Sequence, residues 1–170
     1  MFKFTEVFQD GNADGDFHHS RGGGLLCYDS ASPEIINSTF TQNTALEGGA
    51  IACYSNSAQL SSIEARFTNC NFTDNSTELR GGTFSIYEGT VFLNSSIIEY
   101  NSAITGGDGI TLDYMGKYVN ISNASTVANN SSISGESDID DDRTMIEMVP
   151  PMETIPQTVF ITAIKRSRAA

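Results

Sequence analysis

The chain has no tryptophan, four prolines, three cysteines, two histidines and only nine lysines plus arginines among its 170 residues. Each scarcity removes a class of function. Nine basic residues against 21 acidic ones, for a formal net charge of −12, argue against a nucleic-acid or anionic-membrane surface, which needs clustered Lys and Arg. Cys27, Cys53 and Cys70 cannot close a disulfide framework and lack the Cys-x-x-Cys spacing of zinc or thiol-redox sites, so packing is their expected use. No run of about 18 apolar residues is present for a membrane-spanning helix. The opening MFKFTEVFQDGN also lacks the basic start, apolar stretch and small-residue cleavage site of a secretory signal. A repeat is already in progress near the start with no end cap visible, so the chain reads as a fragment of a longer protein.

What is present is a repeat with two blocks. The first is Gly22-Gly-Gly-Leu25-Leu-Cys27-Tyr28, Gly48-Gly-Ala-Ile51-Ala-Cys53-Tyr54 and Gly81-Gly-Thr-Phe84-Ser-Ile86-Tyr87, with a fourth copy at Gly106-Gly-Asp-Gly-Ile110-Thr-Leu112 that carries one inserted residue. The second is Phe40-x-x-Asn43, Phe72-x-x-Asn75, Ile98-x-x-Asn101 and, diluted, Val127-x-x-Asn130. The period of about 25 to 33 residues is that of a solenoid, and within each copy apolar residues alternate with a period of two, as in a strand. A single copy has too little apolar surface to bury, so copies must stack.

The fold class predicted is therefore all-β, a right-handed parallel β-helix of about four to five turns. Residues 1–21 are an opening segment or partial first turn with an Asp/Gly-rich loop, 22–135 the β-helix repeats, and 136–170 an acidic, proline-containing linker and possible capping strand. Leu25, Ile51, Phe84 and Ile110 form one inward ladder, Phe40, Phe72, Ile98 and Val127 another. Asn43, Asn75, Asn101 and Asn130 form a structural ladder, placed at block ends because Asn suits a left-handed turn and its amide can hydrogen-bond along the axis. The extra residues of the second copy, after Tyr54, read as a loop bulging from one corner.

The stretch Phe40-Thr-Gln-Asn43-Thr-Ala-Leu-Glu-Gly48-Gly49-Ala50-Ile51 resembles the repeats of the chlamydial-type polymorphic outer membrane proteins, whose hallmarks are Gly-Gly-Ala-Ile and Phe-x-x-Asn. The likeness covers about two-thirds of the chain. Later copies depart from it with Gly-Gly-Thr-Phe and Gly-Gly-Asp-Gly, and no translocating β-barrel pattern is visible. The resemblance implies a pectin-lyase-like β-helix, extracellular or at the cell surface (the outer membrane in a bacterial source), that meets carbohydrate or protein partners in adhesion.

Four further features carry candidate chemistry. Asp10, Asn12, Asp14 and Asp16 reproduce the opening of a calcium loop, with oxygens two residues apart and a glycine for the turn, but Arg21 stands where the closing Glu belongs; the alternative is a polar turn. Tyr28, Tyr54 and Tyr87 follow inward positions and are expected to project outward as an aromatic row able to stack on sugar rings, or to stiffen the sheet. Cys27 and Cys53 are expected in adjacent turns, as a disulfide or as buried thiols. Asn-x-Ser/Thr sequons at Asn37, Asn71, Asn75, Asn94, Asn120, Asn123, Asn129 and Asn130 would accept glycans in a eukaryotic secreted chain, though β-helix corners use the same residues. Glu47, Glu64, Glu78, Glu88, Glu99, Asp108 and Asp113 include no paired-carboxylate motif, and His18 and His19 have no Ser or Cys partner set. The expected function is non-enzymatic display or adhesion, with no cofactor besides Ca2+; a carbohydrate-active lyase or hydrolase and a structural spacer are the alternatives.

Overall fold

A computed structural model describes residues 7–9, 11–13, 20–54, 63–132, 139–141, 146–148, 160–161 and 164–166. Every element among them is a β-strand, and every strand pairing is parallel. The chain is a parallel β-helix of about four turns. The first turn holds β1 (Val7–Gln9), β2 (Asn12–Ala13), β3 (Leu25–Tyr28) and β4 (Glu34–Ile36), and the second β5 (Thr39–Thr41), β6 (Thr44–Glu47), β7 (Ile51–Tyr54) and β8 (Glu64–Thr68). In the third turn β9 (Asn71–Thr73) and β10 (Ser76–Arg80) precede one long strand, β11 (Phe84–Asn94), that pairs with both β7 and β8. The fourth repeats that pattern with β12 (Ile97–Glu99), β13 (Ser102–Ala103) and β14 (Ile110–Ser122).

β15 (Thr126–Ala128) and β16 (Ser131–Ser132) open the next turn, and short strands continue the stack into the segment that reads as linker: β17 (Ile139–Asp141), β18 (Ile146–Met148), β19 (Phe160–Ile161) and β20 (Ile164–Arg166). β17 and β18 both lie on β14, and β20 lies on β17 with Asp140 in register with Lys165 and Asp141 with Arg166.

The core is made by two columns. Phe8, Phe40, Phe72, Ile98 and Val127 occupy one register position of successive turns, and Leu25, Ile51, Phe84 and Ile110 another. Phe8 stacks on Phe40 at 4.4 Å between centroids and Phe40 on Phe72 at 4.9 Å, nearly parallel, while Phe67 meets Phe40, Phe72 and Phe84 edge-on. Offset stacks and edge contacts are the favoured aromatic geometries, and these four inner rings, Phe40, Phe67, Phe72 and Phe84, are fully buried.

Three columns of left-handed residues turn the corners. Gly22, Gly48, Gly81 and Gly106 have φ of 61–67°, and in the fourth copy Gly107 at 35° absorbs the inserted residue. At the second corner the left-handed residues are Gln42, Asp74, Tyr100 and Asn129, each immediately before a ladder asparagine. This corrects the sequence expectation that the ladder asparagines themselves adopt the turn. The preceding residue takes the positive φ, which swings the asparagine side chain inward. The third column is Asn37, Asn69, Ser95 and Asn123.

Candidate functional site

The asparagine ladder is more tightly bound than stacked amides alone. Asn75 Oδ1 accepts from both the backbone N–H and Nδ2 of Asn43, at 3.1 and 2.9 Å, and Asn75 Nδ2 donates to Asn101 Oδ1 at 2.9 Å and to the Phe40 carbonyl at 3.0 Å. Asn101 repeats the pattern toward Asn130 and Phe72, and Gly11 N–H begins it on Asn43 Oδ1. Phe-x-x-Asn therefore joins neighbouring turns, because each asparagine holds the carbonyl of the inward Phe or Ile one turn earlier. Asn43, Asn75 and Asn101 are buried, so the sequon at Asn75 is closed in the folded chain, whereas Asn37 and Asn129 stand exposed at corners.

A second polar ladder escaped the sequence reading. Ser38, Cys70, Ser96 and Ser125 lie two residues before each inward Phe, Ile or Val and are all buried. Cys70 N–H donates to Ser96 Oγ at 3.2 Å and Ser96 N–H to Ser125 Oγ at 3.0 Å. The repeat is better written Ser/Cys-x-Phe-x-x-Asn. Burial pushes the Cys70 thiol up, partly offset by backbone hydrogen bonds at Ser38 and Thr68.

Cys27 and Cys53 are register partners on β3 and β7 and are free thiols, both buried. The hydrogen bond that the protonated Cys53 thiol makes to Cys27, and then burial, hold the Cys53 thiol well above its ordinary range. Two consequences follow. Native protein should leave Cys53 unmodified by iodoacetamide at mildly alkaline pH, with full alkylation only after denaturation; rapid native labelling would sink this account. And because the folded thiol stays protonated where the unfolded one ionises, stability contributed here is complete below the ordinary thiol pKa and declines as pH rises above it.

The outward face of the sheet containing β3, β7 and β11 carries the chemistry. Tyr28 pairs in register with Tyr54, and the ring centroids of Tyr28, Tyr54 and Tyr87 follow one another at 6.1 and 5.3 Å, tilted by 37° and 52°. Tyr28 is 40% exposed and the other two are half-buried. Beside the row, at the glycine corner, Arg21, Glu47 and Arg80 share one register column, so charge alternates from turn to turn. Arg21 Nε donates to Glu47 Oε2 at 2.8 Å, and its guanidinium lies 4.1 Å from the Tyr54 ring centroid. Arg21 therefore bridges the corner column and the aromatic row, and Ala52, in the outward column between them, is buried. A guanidinium over an aromatic face is attracted by the ring quadrupole, which fixes Tyr54 in place.

Round the same corner lies a cavity of about 250 Å³ lined by Asn12, Ala13, Ser20, Thr44, Ala45, Leu46 and Glu78. Ser20 and Leu46 are the chain neighbours of Arg21 and Glu47, so the cavity lies next to that ion pair along the chain. The lining supplies an amide, two hydroxyls, a carboxylate and an apolar floor. Asn12, the one described member of the calcium pattern, sits here on β2 opposite Thr44; Asp10, Asp14 and Asp16 lie outside the described residues, as do His18, His19 and the inserted residues 55–62. Among the described residues no three His, Cys, Asp or Glu side chains gather around a metal position, and no helix is long and apolar enough to cross a membrane. Glu64 is paired with Arg66 at 2.8 Å on the surface.

Sequence reasoning named the tyrosines but not the Arg21–Glu47–Arg80 column or the cavity. The signal for the column was a charged residue directly before each of the first three Gly-Gly pairs, visible only once the copies are in register. Compared with protein-family models, with curated proteins and with solved structures, the chain finds no match in any of the three.

Proposed function

We propose that this chain is a non-catalytic β-helix segment of a secreted or cell-surface protein, of the polymorphic outer membrane type its motifs resemble, and that it serves recognition and adhesion. The observation that carries the reading is the division of labour between faces. The repeat residues, Gly, Phe, Ser or Cys and Asn, are consumed in turning corners, filling the core and bonding one turn to the next. The outward row Tyr28–Tyr54–Tyr87 turns no corner and fills no part of the core. It presents amphipathic rings beside a fixed guanidinium, a combination suited to sugars, whose C–H faces pack on aromatic rings and whose hydroxyls bond to planar polar groups. Glu47, in the column beside the row, is bound to Arg21, which suits it to positioning.

The test is a glycan array probed with the wild-type chain and with Tyr28→Ala, a substitution at an exposed position that leaves the core intact. Binding to a defined subset of glycans, weakened by about tenfold in the variant at unchanged melting temperature, is the expected result. A wild-type chain that binds no glycan overturns the recognition reading, and turnover of a bound glycan overturns its non-catalytic part.

A further inference from the structure

Resting on the reading of the tyrosine row as a sugar-binding surface, we infer that it takes an extended, neutral oligosaccharide lying parallel to the solenoid axis, one sugar residue to each turn. The first support is spacing. The three rings come from three successive turns and repeat at 6.1 and 5.3 Å, a step set by strand separation along the axis. An extended chain of β-1,4-linked hexoses advances by a closely similar step per residue, so each sugar can meet one ring without bending. A compact or coiled chain, such as an α-1,4-linked glucan, curves away after its first contact.

The second support is charge. The column beside the row holds Arg21, Glu47 and Arg80, Asp29 and Glu88 follow Tyr28 and Tyr87 in the chain, and Arg21 is already committed to Glu47 and Tyr54, so these groups give no net positive charge. The whole chain carries −12, so a polyanion such as a uronate oligomer meets net repulsion. A neutral chain meets none. The third support is the cavity lined by Ser20 and Leu46, the chain neighbours of Arg21 and Glu47, which gives a recess round the corner for a ring or substituent that projects from the row.

Calorimetric titration with cellobiose, cellotriose, cellotetraose, maltotriose and trigalacturonate tests the assignment. Affinity is expected to rise by about tenfold from the disaccharide to cellotriose and to level off at cellotetraose, because there are three rings. Maltotriose and trigalacturonate are expected to bind at least tenfold more weakly than cellotriose, and Tyr87→Ala to abolish the gain from the third sugar while leaving the disaccharide affinity in place. Equal affinity for maltotriose overturns the axial geometry, and tighter binding of trigalacturonate overturns the neutral class. If none of the five binds while the array shows other glycans bound, this inference falls and the recognition reading stands; if the array is blank as well, both fall.

Discussion

Replacing Asn75 with alanine is expected to cost about 3 kcal/mol, enough to threaten the whole stack given the modest stability of a single domain. The figure follows from what the side chain holds. Removing it takes the acceptor from the Asn43 backbone N–H and a donor from both the Phe40 carbonyl and Asn101 Oδ1, all within buried hydrogen bonds. An unsatisfied buried group forfeits its hydration without recompense, which is why loss of one partner costs more than the bond contributes. Asn75→Asp separates this explanation from simple loss of volume. The carboxylate keeps the shape and can still accept from Asn43, but at neutral pH it has no proton to offer the Phe40 carbonyl. Burial and those two oxygens raise its folded pKa above the unfolded value, so the stability it contributes is present at low pH and lost as pH rises through the folded pKa. Urea unfolding at pH 4 and pH 7 checks this: Asn75→Asp should be the more stable at pH 4, and Asn75→Ala should show no comparable gain relative to wild type. An alanine variant within about 0.5 kcal/mol of wild type would show that the ladder contributes little.

Gly82→Ala is expected to destabilise by about 3 kcal/mol for a different reason, at the upper end of what overpacking costs. A Cβ on Gly82 would overlap the carbonyl oxygen of Asp108 and lie 2.9 Å from both the backbone N and O of Ser102. All three obstacles are main chain in the neighbouring turn, so no side-chain rotation relieves them and the turns themselves must separate. The matching measurement is again urea unfolding, with Ser85→Ala, a nearby small outward residue, as the control that should change stability little. A Gly82→Ala variant as stable as that control would mean the third and fourth turns are looser than their hydrogen bonds indicate.

Why Gly-Gly and Phe-x-x-Asn were legible, and much else was not, follows from the same two sites. A Cβ at Gly82 and a lost amide at Asn75 are errors that no neighbour can repair, so those positions repeat as one residue type. The Ser38, Cys70, Ser96 and Ser125 column tolerates either a hydroxyl or a thiol and presents no single letter. The second-corner turn is filled by Gln42, Asp74, Tyr100 and Asn129, because the left-handed strain there is small enough for solvent-facing residues of different kinds to bear. Phe8 was missed as the first member of its column because Gly11 occupies the asparagine position, where only a backbone N–H is used. The site was less legible than the fold. Arg21, Glu47 and Arg80 are separated by unequal lengths of chain, and only the register, set by the core, brings them into one column.

The asparagine column also gives the molecule an electrical direction. Each side-chain oxygen receives from the turn before, and each side-chain nitrogen gives to the turn after, so the amide dipoles point the same way from Gly11 to Asn130. Hydrogen bonds chained in this manner polarise one another, so a turn added in sequence strengthens those already formed. The order of donors and acceptors makes the column vectorial, like a row of magnets laid north to south. A further turn, or another solenoid of this kind, can extend the row only head to tail. Stacked head to head, it would set oxygen against oxygen at the junction.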